Sequence, residues 1–290
     1  MLRTLGLALC LLALLAAPHG RAQSLDAAAI HHAMGRPGAW VEGVYLITLP
    51  RPDLSVSVAG LRLAPGQLDS LVTFTGWRGK ATVMGDLCLR LNEITAVIAR
   101  LRAQGLDITG VHNHFLNERP RLMFVHFSGH GTETALAHAV MDAYAATATP
   151  AFLRDGPRPA SPTAPAPAWV APVERALGRK GDWGEGLLDI DIAHADQPAL
   201  PDYWKSSALL FQSAGAGQVA ATGDLAVTAA EVNPVLSALT AYGFEILALH
   251  NHMLRERPRL FFIHFWKVGP PPVLCAGLQA ALAAVHSRLP

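Results

Sequence analysis

The chain is poor in cysteine, nearly neutral, and without an apolar run long enough to cross a bilayer. It has three cysteines in 290 residues. Cys10 lies in the N-terminal apolar run, which leaves Cys88 and Cys275, enough for one disulfide at most. Lys and Arg total 23 against 22 for Asp and Glu. That balance gives no electrostatic reason to expect a nucleic-acid or membrane-surface partner. Nucleophile elbow, P-loop and dinucleotide fingerprint are all missing. The longest apolar stretch, Leu5 to Ala17, is too short for a stable membrane anchor. With Arg3 before it and Gly20-Arg21-Ala22 after it, residues 1–22 read as a secretory signal peptide. Export to the periplasm or beyond is therefore expected, with no transmembrane helix once the leader is removed. Leu9 stands where a lipidation motif wants a small residue, so Cys10 does not read as an anchor.

What is present is a repeat. Residues 85–127 align with 223–265 at a constant shift, and 21 of the 43 positions are identical. The likeness extends upstream with gaps, from Met34-Gly35-Arg36 to Leu177-Gly178-Arg179. Two modules follow, 24–148 and 170–289, separated by a Pro/Ala-rich linker over 149–169. The period is too long for a solenoid, so a pseudo-symmetric pair whose modules pack together is expected. Ala226 occupies the position of Cys88 in the second copy, which favours reading both remaining cysteines as small core residues.

Each module predicts an early helix, near 25–34 and 171–177, stopped by Gly35 or Gly178. Strands are expected at 44–49, 54–58, 71–74, 81–89 and 187–192, the last with Asp189 and Asp191 on one wet face. Thr95 and Asn233 read as caps of a second helix, ended by Gly105 or Gly243. Two strands, 106–114 and 121–127, precede a closing helix near 132–146 and 273–287. The fold class is α+β: two tandem modules, each a mostly antiparallel sheet with two or three helices.

Six of the 13 histidines fall in two short segments. Strict alternation puts Leu106, Ile108, Gly110, His112 and His114 on one face, and the matching residues of the second copy likewise. Whether His126 joins them depends on register, since a one-residue slip reverses every side chain. The small residues Gly110 and Ala248 favour the register in which position 110 faces position 126. His112, His114, His126 and Glu118 then form one ligand set, and His250, His252, His264 and Glu256 a second. Imidazole with carboxylate suits a divalent transition metal, zinc foremost by ligand type. Metal-free acid–base chemistry and buried, hydrogen-bonded histidines are the competing readings. Arg119, Arg121, Arg257 and Arg259, with Asn113 and Asn251, read either as donors to a small anionic or cell-wall ligand or as fixtures of the loop. Asp86, Asp224, Glu93 and Glu231 read as structural, with a carboxylate to offer the site.

The runs Gly223-Asp224-Leu225, Glu231 to Val235, Leu249 to His252 and Glu256 to Phe265 resemble the LppY/LpqO family of secreted bacterial proteins, a domain of unknown function. The resemblance covers both modules and implies export, often with a lipid anchor, which this leader does not match. It implies no activity. The residues favour an envelope protein with a metal site in each module, with hydrolysis or oxidation open to it. A non-catalytic module for a small anionic or cell-wall ligand is the alternative.

Overall fold

A computed structural model describes residues 25–149, 164–196 and 199–285. The predicted leader lies outside the described residues, as does most of the linker. Module one runs α1 (Ala27–Met34), β1 (Ala39–Val41), β2 (Val44–Leu49), β3 (Ser57–Val58), β4 (Leu61–Arg62), β5 (Ser70–Trp77), β6 (Lys80–Arg90), α2 (Ile94–Ala103), β7 (Asp107–His112), β8 (Glu118–Arg119), β9 (Leu122–Gly131) and α3 (Glu133–Tyr144). Module two runs α4 (Val170–Leu177), β10 (Asp182–Gly184), β11 (Leu187–Ala193), α5 (Asp202–Lys205), β12 (Ser206–Gly215), β13 (Gln218–Thr228), α6 (Val232–Ala241), β14 (Glu245–His250), β15 (Leu260–Gly269) and α7 (Pro271–Leu282). The expected α+β class holds. Each module has a six-stranded antiparallel sheet, ordered β1-β2-β5-β6-β9-β7 and β10-β11-β12-β13-β15-β14.

Side-chain alternation explains the layering. On β9, Val125 and Phe127 enter the core beneath the helices of module one, while Phe124 belongs to a different cluster. On β15, Ile263 and Phe265 enter the helix-side core of module two, and Trp266 joins Phe124. That third cluster also holds Phe115 and Leu122 from module one with Ala220 and Leu247 from module two. Each sheet thus carries helices on one face and the other module on the opposite face. Both faces are buried, which is why these strands read as nearly continuous apolar runs. Burial at about 25 cal/mol per Å² of apolar surface makes this seam a packed core of its own.

Several boundaries differ from expectation. The second helices begin one residue before Thr95 and Asn233, which lie inside the first turn. The residues at the boundary are Glu93 and Glu231, whose carboxylates turn back to accept from the backbone N–H of Arg90 at 2.8 Å and Thr228 at 2.7 Å. The predicted strand at 54–58 shortens to β3, which with β4 and β8 forms a small separate sheet. Cys88 and Cys275 are both buried and unpaired, as core residues of different clusters. No helix among the described residues is long and apolar enough to cross a membrane.

Candidate metal centre

The histidines are positioned by a bulge. In the β7–β9 pair, Ile108 faces Phe127 but Gly110 faces His126, so Thr109 is an extra residue. The second copy repeats this, with Ile246 facing Phe265, Ala248 facing His264, and Leu247 extra. The favoured register, 110 against 126, is observed. The single face running from Leu106 to His114 is not. The extra residue reverses parity, so Leu106 and Ile108 pack in the helix-side core while His112 turns to the seam.

At the seam the two predicted ligand sets merge into one cluster. The rings of His112 and His250 stack at 3.5 Å between centroids. His126 lies 4.2 Å from His252, and His264 lies 4.1 Å from His114, so the third histidine of each copy meets the second histidine of the other. Phe124 backs His114 at 3.3 Å and Phe262 backs His252 at 3.5 Å. Small residues fit here: a Cβ at Gly110 would stand 3.0 Å from the Asn251 carbonyl oxygen and 3.3 Å from the His126 ring, and the matching Ala248 carries no more than a methyl.

Asp86 and Asp224 complete the cluster. Asp224 Oδ2 is 3.0 Å from His252 Nε2 and Asp86 Oδ2 is 3.6 Å from His114 Nε2. Asp86 Oδ1 lies 3.8 Å from His126 Nε2, and Asp224 Oδ1 lies 3.8 Å from His264 Nε2. The glycine before each aspartate lets the strands close up: a Cβ at Gly85 would run into the Phe127 ring. The same two glycines orient the distal histidines. Nδ1 of His264 donates to the Gly223 carbonyl at 2.9 Å, and His126 donates to that of Gly85.

Burial disfavours the charged form of five of these rings. His112 is pushed down to about 3, first by desolvation and then by the charge of His264. His114 and His126 are held well below the ordinary imidazole range, and His250 and His264 below it, burial being the largest cause each time. Burial and the neighbouring Asp224 push Asp86 well above the usual carboxylate range. Burial acts on Asp224 too, but the rings of His264 and His252 outweigh it and hold that carboxyl low. A neutral ring that gives its Nδ1 proton to a carbonyl presents a lone pair at Nε2. His112, His126 and His264 are 7%, 6% and 4% exposed, and the Nε2 of each is buried with no hydrogen-bond partner. Ligand atoms of His112, His250 and His264 lie within 4.8 Å of one another. So do those of His126, His250 and His252, and those of Asp86, His112 and His126.

Other predicted site residues lie elsewhere. Glu118 and Glu256 fall outside these groups. Their carboxylates accept from the backbone N–H of Leu122 at 3.2 Å and Leu260 at 3.1 Å, and they pair with Arg121 and Arg259 at the loop. Their four-residue spacing after the histidine closes the loop instead of reaching the histidine cluster. Arg119, Arg121, Arg257 and Arg259 are exposed. Asn113 and Asn251 bind the opposite module: each amide donates to the carbonyl of the other copy's bulge residue, Leu247 at 3.0 Å and Thr109 at 2.9 Å. Sequence reasoning missed this use of the Asn between the histidines, which no local pattern signals. His194, Asp196 and Glu231 also bring ligand atoms within 4.8 Å. In module one Arg51 holds Glu93 at 3.0 Å and Asp53 at 2.9 Å in the matching place, which makes a structural tie the common role.

A search of curated proteins gives no match. A solved trimeric bacterial microcompartment shell protein, PduB, aligns over 86% of this chain and 89% of that chain, at 12% identity and a TM-score of 0.25. Likeness at that level carries no argument. A family profile described as "Domain of Unknown Function (DUF1259)" matches residues 28–146 and again residues 171–284. With most of each module matched, the chain belongs to the DUF1259 family, in two tandem copies.

Proposed function

We propose that this is an exported envelope protein that binds a divalent transition metal between its two modules, in keeping with its resemblance to the secreted LppY/LpqO proteins. Zinc is the ion that suits the ligands best, since imidazole with carboxylate is a common zinc set. The observation that carries this reading is the trio of buried, unpartnered Nε2 lone pairs on His112, His126 and His264. Leaving such atoms without a partner is costly in a low-dielectric interior, and a cation held by His112, His250 and His264 offsets that cost for two of the three. The carbonyl bonds from the distal histidines are the outer contacts that fix ring orientation in metal sites. One ion here draws ligands from both modules, in place of a separate ion in each. A metal of this kind polarises a carbonyl or phosphoryl oxygen or activates water, which leaves hydrolysis and oxidation both open to it.

Elemental analysis of the full chain, purified without a chelating tag, tests the reading. Near-stoichiometric transition metal is expected, lost in His112→Ala and equally in His250→Ala although these lie in different modules. A folded wild-type protein that holds no metal and takes none up from zinc solution would overturn it.

A further inference from the structure

Beside the histidines, between the sheets, is a cavity of about 250 Å³. It is lined at the cluster by Asp86, Asp224, His126 and His264, and elsewhere by Asp189 and Asp191 with the rings of Tyr203 and Trp204. Register gives its layout. Asp191 pairs with Ala208, which pairs with Asp224, which pairs with His264. These residues form one row across the sheet. Asp191 therefore stands two strand spacings from Asp224, roughly 10 Å, with only an alanine side chain between.

Neither lysine nor arginine is among the described residues lining the cavity. The charges that bear on Asp191 are those of Asp189, Glu42 and Asp182, all carboxylates. Asp189 Oδ1 is buried without a hydrogen-bond partner. Burial and these neighbours push Asp191 up to about 8 and Asp189 up to about 6. The wall is also particular to one copy. In module one the same row reads Thr48, Leu71, Asp86, His126, so a threonine replaces Asp191 and a leucine fills the gap. Pseudo-symmetry holds at the histidines and is broken where a substrate would extend. Carboxylates beside aromatic rings recognise organic ammonium groups by ion pairing and by cation–π attraction. His126 and His264, whose buried Nε2 atoms have no hydrogen-bond partner, line the other end of the same cavity and mark it as ligand-binding too.

We propose that the cavity binds a small aliphatic amine, its ammonium held by Asp189 and Asp191 and its remaining length directed at the histidine–aspartate cluster. Binding at the wall needs only the carboxylates. The identification of the amine as the substrate of the cluster rests on the metal reading above. The test is calorimetric titration of the full chain, metal-loaded and chelator-treated, with 1,4-diaminobutane, 1,4-butanediol and succinate. The diamine should bind about tenfold or more tighter than either isostere, the worth of one charge-assisted hydrogen bond. That preference should disappear in Asp189→Asn/Asp191→Asn, and shrink in Asp191→Asn alone, with metal content unchanged. Equal binding of the three compounds, or a preference that survives in the double variant, would overturn the proposal. So would an equivalent of metal lost from that variant, since the wall would then be a second metal site. A diamine preference in a chain that takes up no metal from zinc solution would count against the metal reading alone, whereas the same preference in the chelator-treated chain is expected.

Discussion

At the scale of the residue, what matters is which polar atoms are already satisfied. Glu118 and Glu256 looked like ligands because of their distance from His114 and His252 along the chain, yet Oε1 of each closes the loop, and Oε2, buried without a hydrogen-bond partner, lies outside the histidine groups. Asp86 and Asp224 stand beside the rings instead, and the sequence marked them only by the glycine before each. The histidines themselves were legible, because six rings at matched positions in two copies are hard to explain as packing. Asp189 and Asp191 were legible as one face of a strand, but not as the wall of a cavity, which exists only once the other module covers it. Their protonation makes a prediction. A carboxyl whose folded pKa is raised, here to about 8 for Asp191 from an ordinary 3.8, binds more protons folded than unfolded across that window. Its stabilising effect is complete below the ordinary value and is lost as pH rises through the folded one. Ligand-free wild type should therefore have a lower urea midpoint at pH 9 than at pH 5, and Asp191→Asn should reduce that difference. A variant with the same pH dependence as wild type would show that Asp191 titrates normally.

At the scale of the element, the hairpin register was readable and its bulge was not. Position 110 faces 126 as the small residues implied. Alternation cannot reveal one inserted residue, because a bulge leaves the apolar count intact while moving every later side chain to the other face. The bulge carbonyl is what the opposite Asn grips, so the insertion and the His-Asn-His motif work as one unit. Asn113 Nδ2 also donates to the Phe115 carbonyl at 3.0 Å, so its loss strands two acceptors. Asn113→Ala should cost about 1–3 kcal/mol, seen as a lower urea midpoint with an unchanged m-value. Asn113→Asp should be at least as harmful, since a carboxylate cannot donate. A neutral Asn113→Ala would remove the amide from the account of how the modules are joined.

At the scale of the whole molecule, duplication makes the site. A single module exposes one half of a seam: Phe124 and the rings of His112 and His126 on one side, Phe262, His250 and His264 on the other. Module boundaries and fold class could be read from the repeat and from alternation within strands. The sharing of one site could not, because nothing local to either copy states which face meets the other. The most direct test is anomalous diffraction at the zinc edge from crystals of the zinc-loaded full chain. The account predicts signal at the seam, with imidazole nitrogens from both modules at about 2.0–2.1 Å from one ion. Two separate peaks, each held by residues of a single module, or no peak among these histidines, would contradict it.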